Sequence, residues 1–544
     1  MQLSYHISLL LMNLLKEFEQ YVKKLYGKIR HLESELSQTQ EQLEEAEAEI
    51  RRLKNLPKKP DIKASELDKP KADSSCGKTG KTGKRPGSEK VSKKKDLKIH
   101  EERVVKAQDV PSDWELVGYK NYMIQDFVIR ANNISYQREV WQSPDGQQSM
   151  VATLPAHLIG KHFGTILEGY ILQQYYECGV TQPLILRSLL DFGVCISKGQ
   201  ISNILIENKE RFHQEKDSLL AAAIELKEEL RTDDTGARHQ FRNGSCNCIN
   251  SDLFTYFTRT YSKSRINFLE ILRMEHKDYV LNQTALDYAL EQQLPDKYYA
   301  VLLNSYQNGE RHLADEDRLE DYLNKHHITA AHALRTIREA LLMGAIVEHG
   351  FDPETLIHSD GAGQFAIFAH SLCWKHAERP LVKLKPYNDR QAQLLDMKKE
   401  AFWTLYQALK KYKQQPDETL ISTLEQQFDQ LCEPVEGFDS LNQVLEALKK
   451  KKNKLLLVLK RPRASLHNND SERDIREYVK RRKISAGTRS ENGRKARDTF
   501  LSLKKTCRKL GISFWEYLID RLNHDNQIPP LSLIMVHKAK TANG

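Results

Sequence analysis

The stretch Glu354-Thr-Leu-Ile-His-Ser-Asp-Gly361 reads as a short strand that ends in an acid. Leu356 and Ile357 are the residues a sheet interior favours, and Gly361 lets the chain turn once Asp360 has been presented. An acid at the tip of a buried strand is held rigidly and still reaches one edge of the sheet. Two other segments have the same character. Leu230-Arg-Thr-Asp-Asp-Thr235 reads as a strand carrying Asp233, and Asn468-Asn-Asp-Ser-Glu-Arg-Asp-Ile-Arg476 reads as a capped helix start with Glu472 in its first turn. Asp360 follows Asp233 by 127 residues, and Glu472 follows Asp360 by 112. Such gaps imply a core split by insertions, with a helical excursion around 280–345 and a longer helical stretch over 385–462.

Carboxylates on rigid elements at one sheet edge are what phosphoryl transfer with two divalent cations requires. Each Mg²⁺ takes oxygen ligands and keeps part of its shell for water or phosphate. Taken singly, each of these acids reads by default as a surface group or a cap; the set, in this order, carries the inference. Two strand acids and one helix acid resemble the RNase H-like arrangement.

Working outward, the rest of the 544-residue chain divides into several units. Apolar residues recur at Leu11, Leu15, Phe18, Val22, Leu25, Ile29, Leu32, Leu36, Leu43, Ala46, Ile50 and Leu53, in alternating steps of four and three with Thr39 in the one polar slot. This heptad seam predicts a coiled coil over 1–56, and self-association through it. Residues 57–100 hold 14 Lys/Arg against 6 Asp/Glu, with four prolines, and read as a basic flexible linker. Residues 101–155 alternate apolar and polar side chains in short runs, which predicts a small β-rich module. Over 156–227 the pattern is helical. Gln182 to Leu190 is an amphipathic run, Gly193 breaks it, and a second helix resumes under a Ser197 cap. Helix, short turn and polar-fronted helix outline a helix-turn-helix in which Lys198, Gln200 and Asn203 face DNA while Ile201 and Leu205 pack inward. The remaining boundaries fall at 228–378 for the first part of the catalytic core, 379–465 for the helical insertion, and 466–544 for the core's C-terminal helix and basic tail.

The formal net charge is +9, which suits a polyanionic partner. The distribution says more than the total. Arg473, Arg476, Lys480, Arg481, Arg482, Lys483, Arg494 and Lys495 follow directly on Glu472, and a basic cluster beside an acidic one would hold DNA against carboxylates that otherwise repel it. The eight cysteines are scattered and form no disulfide framework, in keeping with a reducing cytoplasm. No run of apolar residues is long enough to suggest a membrane span.

Several segments, in order, resemble transposases of the insertion-sequence 66 family. The residues that carry the resemblance are Thr232-Asp-Asp-Thr235, His358-Ser-Asp-Gly-Ala-Gly-Gln-Phe365, His467-Asn-Asn-Asp-Ser-Glu-Arg-Asp-Ile-Arg476 and the closing Ser502–Leu518 segment. The resemblance implies a multidomain α/β protein with an RNase H-like core. It would be a bacterial DDE transposase, cytoplasmic and nucleoid-associated when bound to DNA. Asp233, Asp360 and Glu472 would be both the catalytic residues and the ligands of Mg²⁺ or Mn²⁺. Its partners would be terminal inverted repeats, target DNA, further copies of itself and accessory proteins of the same element. The alternatives are a catalytically silent or domesticated DNA-binding protein, a coiled-coil scaffold, and an RNase H-like nuclease that cuts without strand transfer.

This sequence departs from the family pattern in two places. The family's cysteine-rich zinc module should fall near 101–155, where there is no cysteine, so no zinc is expected. The first acidic block has two aspartates, so Asp234 stands beside Asp233 as a supporting candidate. Cys373 and His376, a Cys-x-x-His pair, are further supporting candidates. Cys246 and Cys248 are potential zinc co-ligands for that pair, against the simpler reading of buried strand cysteines.

Overall fold

A computed structural model describes residues 159–543 throughout, together with parts of 18–28 and 99–155. The chain forms two compact units, Met1–Asn121 and Tyr122–Gly544. In the first, the described residues between 18 and 28 are helical (α1), and Phe18 and Leu25 of the heptad seam are exposed. Val22, between them, is half-buried; the other residues of that seam, and the basic linker over 57–98, lie outside the described residues.

The second unit is mixed α/β. It opens with a hairpin, β1 (Val140–Gln142) and β2 (Ser149–Val151), inside the segment expected to be β-rich. Helices α2 (Thr165–Leu172), α3 (Gln182–Asp191), α4 (Lys198–Ile206) and α5 (Glu210–Glu225) follow. Gly193 turns the chain after α3 with φ +82°, and Ser197 caps α4 by accepting from the Gln200 amide at 3.2 Å.

Five strands form the central sheet: β3 (Leu230–His239), β4 (Arg242–Asn250), β5 (Thr255–Thr260), β8 (Leu356–Ser359) and β9 (Ala369–Leu372). The order is β5-β4-β3-β8-β9; the first three pair antiparallel, and β8 and β9 join in parallel. Between β5 and β8 lie α6 (Arg265–Leu272), a two-stranded ribbon of β6 (Tyr279–Val280) and β7 (His312–Leu313), and the helices α7 (Gln283–Glu291), α8 (Asp296–Gln307), α9 (Glu316–Lys325) and α10 (Ala331–Glu348). This is the expected helical excursion, with a ribbon the sequence did not suggest. Ala340 to Ile346 of α10 are buried on every side, so α10 is a core helix rather than a surface one.

After β9 come α11 (Trp374–Lys383), α12 (Asp389–Gln414), α13 (Ile421–Leu431), α14 (Asp439–Lys449), and the single turns α15 (Lys452–Leu455) and α16 (Leu457–Lys460). This helical insertion has its own core around Phe402, Phe428 and Leu445, joined to the sheet side by the buried Trp374. Four helices close the chain: α17 (Asn469–Ser485), α18 (Glu491–Leu510), α19 (Phe514–Asn523) and α20 (Leu531–Asn543). Strand alternation decides what each sheet face meets. Ala237, Cys246, Cys248 and Phe257 pack against Ile475 and Tyr478 of α17 and Leu501 of α18. Leu230, Ile249 and Tyr256 point the other way, into the larger core shared with α6 and α10.

Candidate active site

The parallel pairing of β3 with β8 matches Leu230 to Ile357 and Arg231 to His358. Carried forward two residues, that register sets Asp233 level with Asp360, where the two strands part. Asp233 lies opposite Cys248 and therefore on the face covered by α17. Glu472 sits in the first turn of α17. All three acids thus converge on one end of the sheet, from two strands and one helix.

The elements are pinned by specific contacts. Asp360 directly follows β8, Gly361 after it takes φ +99°, and the Asp360 carboxylate accepts from the Ala362 amide at 2.9 Å. Asn468 is the N-cap residue of α17 but does not cap it with its side chain. Its amide donates instead to the Thr232 carbonyl of β3 at 2.9 Å, and its own N–H reaches Cys373 Sγ at 3.3 Å. Asn250 donates to Ser471 Oγ at 3.1 Å, and Arg231 pairs with Asp470 at 2.6 Å. The start of α17 is therefore stitched to β3, β4 and the end of β9.

The electrostatics follow from this crowding. Burial raises the Asp233 carboxyl to about 7, and the charges of Asp360, Asp234 and Glu472 add to the shift against a backbone hydrogen bond that opposes it. Glu472 Oε1 is buried without a hydrogen-bond partner; its nearest basic side chains, His376 Nε2 and Arg379 Nη2, each stand 3.6 Å away. Burial and Arg379 lower the His376 imidazole, while Asp360 and Glu472 act in the opposite sense. His376 is therefore a fourth polar member of the site.

Asp234 points to the opposite sheet face. It is ion-paired with Lys263 and accepts from Gln364 Nε2 at 2.6 Å. Cys373 is buried at the start of α11. Cys246 and Cys248 share one face of β4, as a Cys-x-Cys on a strand must, and are enclosed by Phe257 and Tyr478. Among the described residues, the one grouping of three His, Cys, Asp or Glu side chains with ligand atoms all within 4.8 Å is His276, Asp278 and His349. The three acids stand in a looser set than that, and Cys373 and His376 belong to no such group.

The basic candidates divide. Lys198, Gln200 and Asn203 are exposed on α4 while Ile201 and Leu205 are buried. Arg473, Arg476, Lys480, Lys483 and Lys495 are exposed. Arg481 is not: its guanidinium lies 3.4 Å from the Tyr175 ring centroid, in the interior. Arg482 donates to the Gly236 carbonyl of β3, and Arg494 pairs with Glu491 at 3.0 Å. The sequence pattern marked eight basic residues after Glu472; five stay exposed, and Arg481, Arg482 and Arg494 are turned inward or held along the surface.

Residues 318–496, which include Asp360 and Glu472, match the family described as "Transposase IS66 family". An uncharacterized protein, y4jO of Sinorhizobium fredii (strain NBRC 101917 / NGR234), is 42% identical over 313 residues, 57% of this chain and 97% of that protein. The chain belongs to the IS66 family of transposases. No solved structure matches it. As an IS66 transposase it is expected to act on DNA, and no helix among the described residues is long and apolar enough to cross a membrane.

Proposed function

We propose that this chain is a DDE transposase. On this reading it binds the ends of its element, hydrolyses a phosphodiester to free a 3′-OH, and uses that 3′-OH to attack target DNA. The observation that carries the proposal is the convergence of Asp233, Asp360 and Glu472, at a site where Asp233 is pushed to about 7 and Glu472 Oε1 is buried without a partner. Desolvated carboxylates crowded together this way are costly unless a cation joins them. An all-oxygen donor set suits Mg²⁺ or Mn²⁺, held by these three residues. When bound, such ions activate the attacking oxygen and stabilise the leaving one.

The chain's own residues have separate tasks. Asp233, Asp360 and Glu472 supply oxygen ligands from rigid elements. His376 and Arg379, beside Glu472, orient its carboxylate, and the Arg379 guanidinium offsets its charge. In each step an incoming oxygen, first of water and then of the 3′-OH, forms a bond to phosphorus as the bond to the leaving oxygen breaks, with no covalent protein–DNA intermediate. The mixed sheet with its acids on adjacent parallel strands supports an RNase H-like reading of the core. The exposed polar face of α4, following α3 and a short turn, supports a helix-turn-helix that contacts DNA. The heptad seam supports self-association.

The test is strand cleavage and joining on labelled element-end DNA with Mg²⁺ or Mn²⁺, comparing wild type with Asp360→Ala and Glu472→Ala. Metal-dependent cleavage and joining, lost in both variants with DNA binding kept, is the expected result. Cleavage that persists in both variants overturns the site. Cleavage without joining selects the nuclease alternative, and binding without cleavage selects a silent copy or a missing accessory protein.

A further inference from the structure

A second polar cluster lies outside the acid site, within the excursion between β5 and β8. His276 follows α6, Asp278 immediately precedes β6, His312 is in β7 opposite Val280, and His349 is the C-cap residue of α10. Asp278 is buried. One of its oxygens lies 2.8 Å from His349 Nε2, and the other lies 2.9 Å from both His349 Nε2 and His312 Nε2. The His276 and His349 rings stack face to face, with centroids 3.5 Å apart and planes 6° from parallel. The ligand atoms of His276, Asp278 and His349 all fall within 4.8 Å of one another.

We infer that His276, Asp278, His312 and His349 form a structural site for a divalent transition metal, with zinc as the fitting ion. Three imidazoles and one carboxylate are a complete four-coordinate set. Nitrogen donors of this kind select zinc and its neighbours over Mg²⁺ or Mn²⁺. Bond lengths of about 2.0–2.2 Å would draw His276, Asp278 and His349 closer and unstack the two rings, and His312, which stands outside that group but 2.9 Å from Asp278, would have to swing in as the fourth ligand. The approach is also braced: Arg273 Nη1 donates to the carbonyls of Lys277 and Asp278, each at 2.9 Å, fixing the loop that presents Asp278.

A closed set of four protein ligands leaves no position for substrate, so this site holds structure rather than performing chemistry. It would tie the exit of α6, the ribbon and the end of α10 to one point. His349 stands eleven residues before Asp360, so the tie fixes the segment that feeds β8.

The experiment uses the full-length chain, stripped of metal and titrated with Zn²⁺ and with Co²⁺, read by metal analysis and by the visible absorption that four-coordinate Co²⁺ gives. Wild type should bind one equivalent tightly. Asp360→Ala should bind that equivalent unchanged, which separates it from the acid site. His276→Ala and His349→Ala should each weaken binding by more than the ~10–100-fold typical of losing an outer-shell partner. His312→Ala, on the exposed edge, should keep a wild-type circular dichroism spectrum and still lose the four-coordinate Co²⁺ band, so a folding failure in the other two does not decide the matter. Absence of stoichiometric binding at micromolar metal, or a Co²⁺ band that survives in all three histidine variants, overturns the proposal.

Discussion

The two polar clusters of this chain differ in donor chemistry, and the difference separates their tasks. The sheet-edge cluster is carboxylate, desolvated and loose, with Glu472 Oε1 unpartnered. The cluster at the end of α10 is mostly imidazole, and its hydrogen bonds are close to 2.8–2.9 Å. An incomplete, repulsive oxygen set is suited to taking up metal together with phosphate. A closed set of three imidazoles and one carboxylate is suited to holding a fold in place. The largest expected effect breaks or keeps this division. Glu472→Gln should lower strand cleavage by roughly 100-fold or more, as loss of one group that stabilises reacting charge usually does. His349→Ala should lower the thermal midpoint while leaving cleavage at 25 °C within about five-fold, since it removes no group near the reacting atoms. If a folded His349→Ala protein is as dead as Glu472→Gln, the division fails.

The second test concerns how the two regions are coupled. Gly344 lies in the middle of α10, where alanine would ordinarily be favoured by about 1 kcal/mol. Here a Cβ would meet the Val280 carbonyl oxygen at 2.1 Å and Asn282 Oδ1 at 2.9 Å. Helix α10 can press against the ribbon only because this residue has no side chain, and Asn282 Nδ2 seals the contact to the Gly344 carbonyl at 3.0 Å. Gly344→Ala should therefore destabilise the protein by about 2–3 kcal/mol, measured by denaturant unfolding. A neutral or stabilising result would mean that the helix and the ribbon are free to separate.

Much of the acid site was legible because its signals are local. A strand ending in Asp-Gly and a helix start with acids in its first turn can be read from a few residues each. The sequence motif favoured Asp233 and left Asp234 as a supporting candidate; cross-strand register sets which of them faces α17, and register is a property of pairing rather than of one segment. The β3–β4 hairpin was less visible. Its turn is Gln240-Phe241, both at positive φ, without the Asn-Gly or Asp-Gly that normally marks such a turn. The histidine cluster could not be found by spacing at all. Its members span 276 to 349 and meet only because β6 pairs with β7 and α10 ends beside them. The sequence's zinc-like spacings involve cysteine, and none of these four residues is one.

Desolvation of the sheet-edge cluster has a pH signature. The Asp233 value in the folded state, about 7, lies above its ordinary 3.8. Between those values the folded protein holds more protons than the unfolded chain, so its stability falls as pH rises from about 4 to 7 and then levels. Asp233→Asn removes that slope. At pH 8 without divalent metal the variant should be more stable than wild type by about 2 kcal/mol, after allowance for partial solvent access, and the two should agree near pH 4. Adding Mg²⁺ at pH 8 should raise the wild-type midpoint more than that of the variant. Parallel pH profiles would show that Asp233 is not a desolvated acid.

The smallest effect concerns the basic side chains that surround the acids, and it comes from helix geometry. On α17, Arg473, Arg476, Lys480 and Lys483 remain at the surface, whereas Arg481 is stacked on Tyr175. Only the first group can neutralise phosphates. Each phosphate contact contributes roughly one to the slope of log affinity against log salt. Arg473→Ala and Lys480→Ala should each weaken binding to element-end and unrelated DNA alike, by a few-fold at moderate salt, and lower that slope by about one. Arg481→Ala should leave the slope unchanged and lower thermal stability instead, because it empties a buried space against an aromatic ring. Lys198→Ala on α4 differs from both if that helix reads bases: its loss of affinity should be greater for element ends than for unrelated DNA. Equal losses on both DNAs would assign α4 to the phosphate backbone and leave recognition of the ends to another part of the chain.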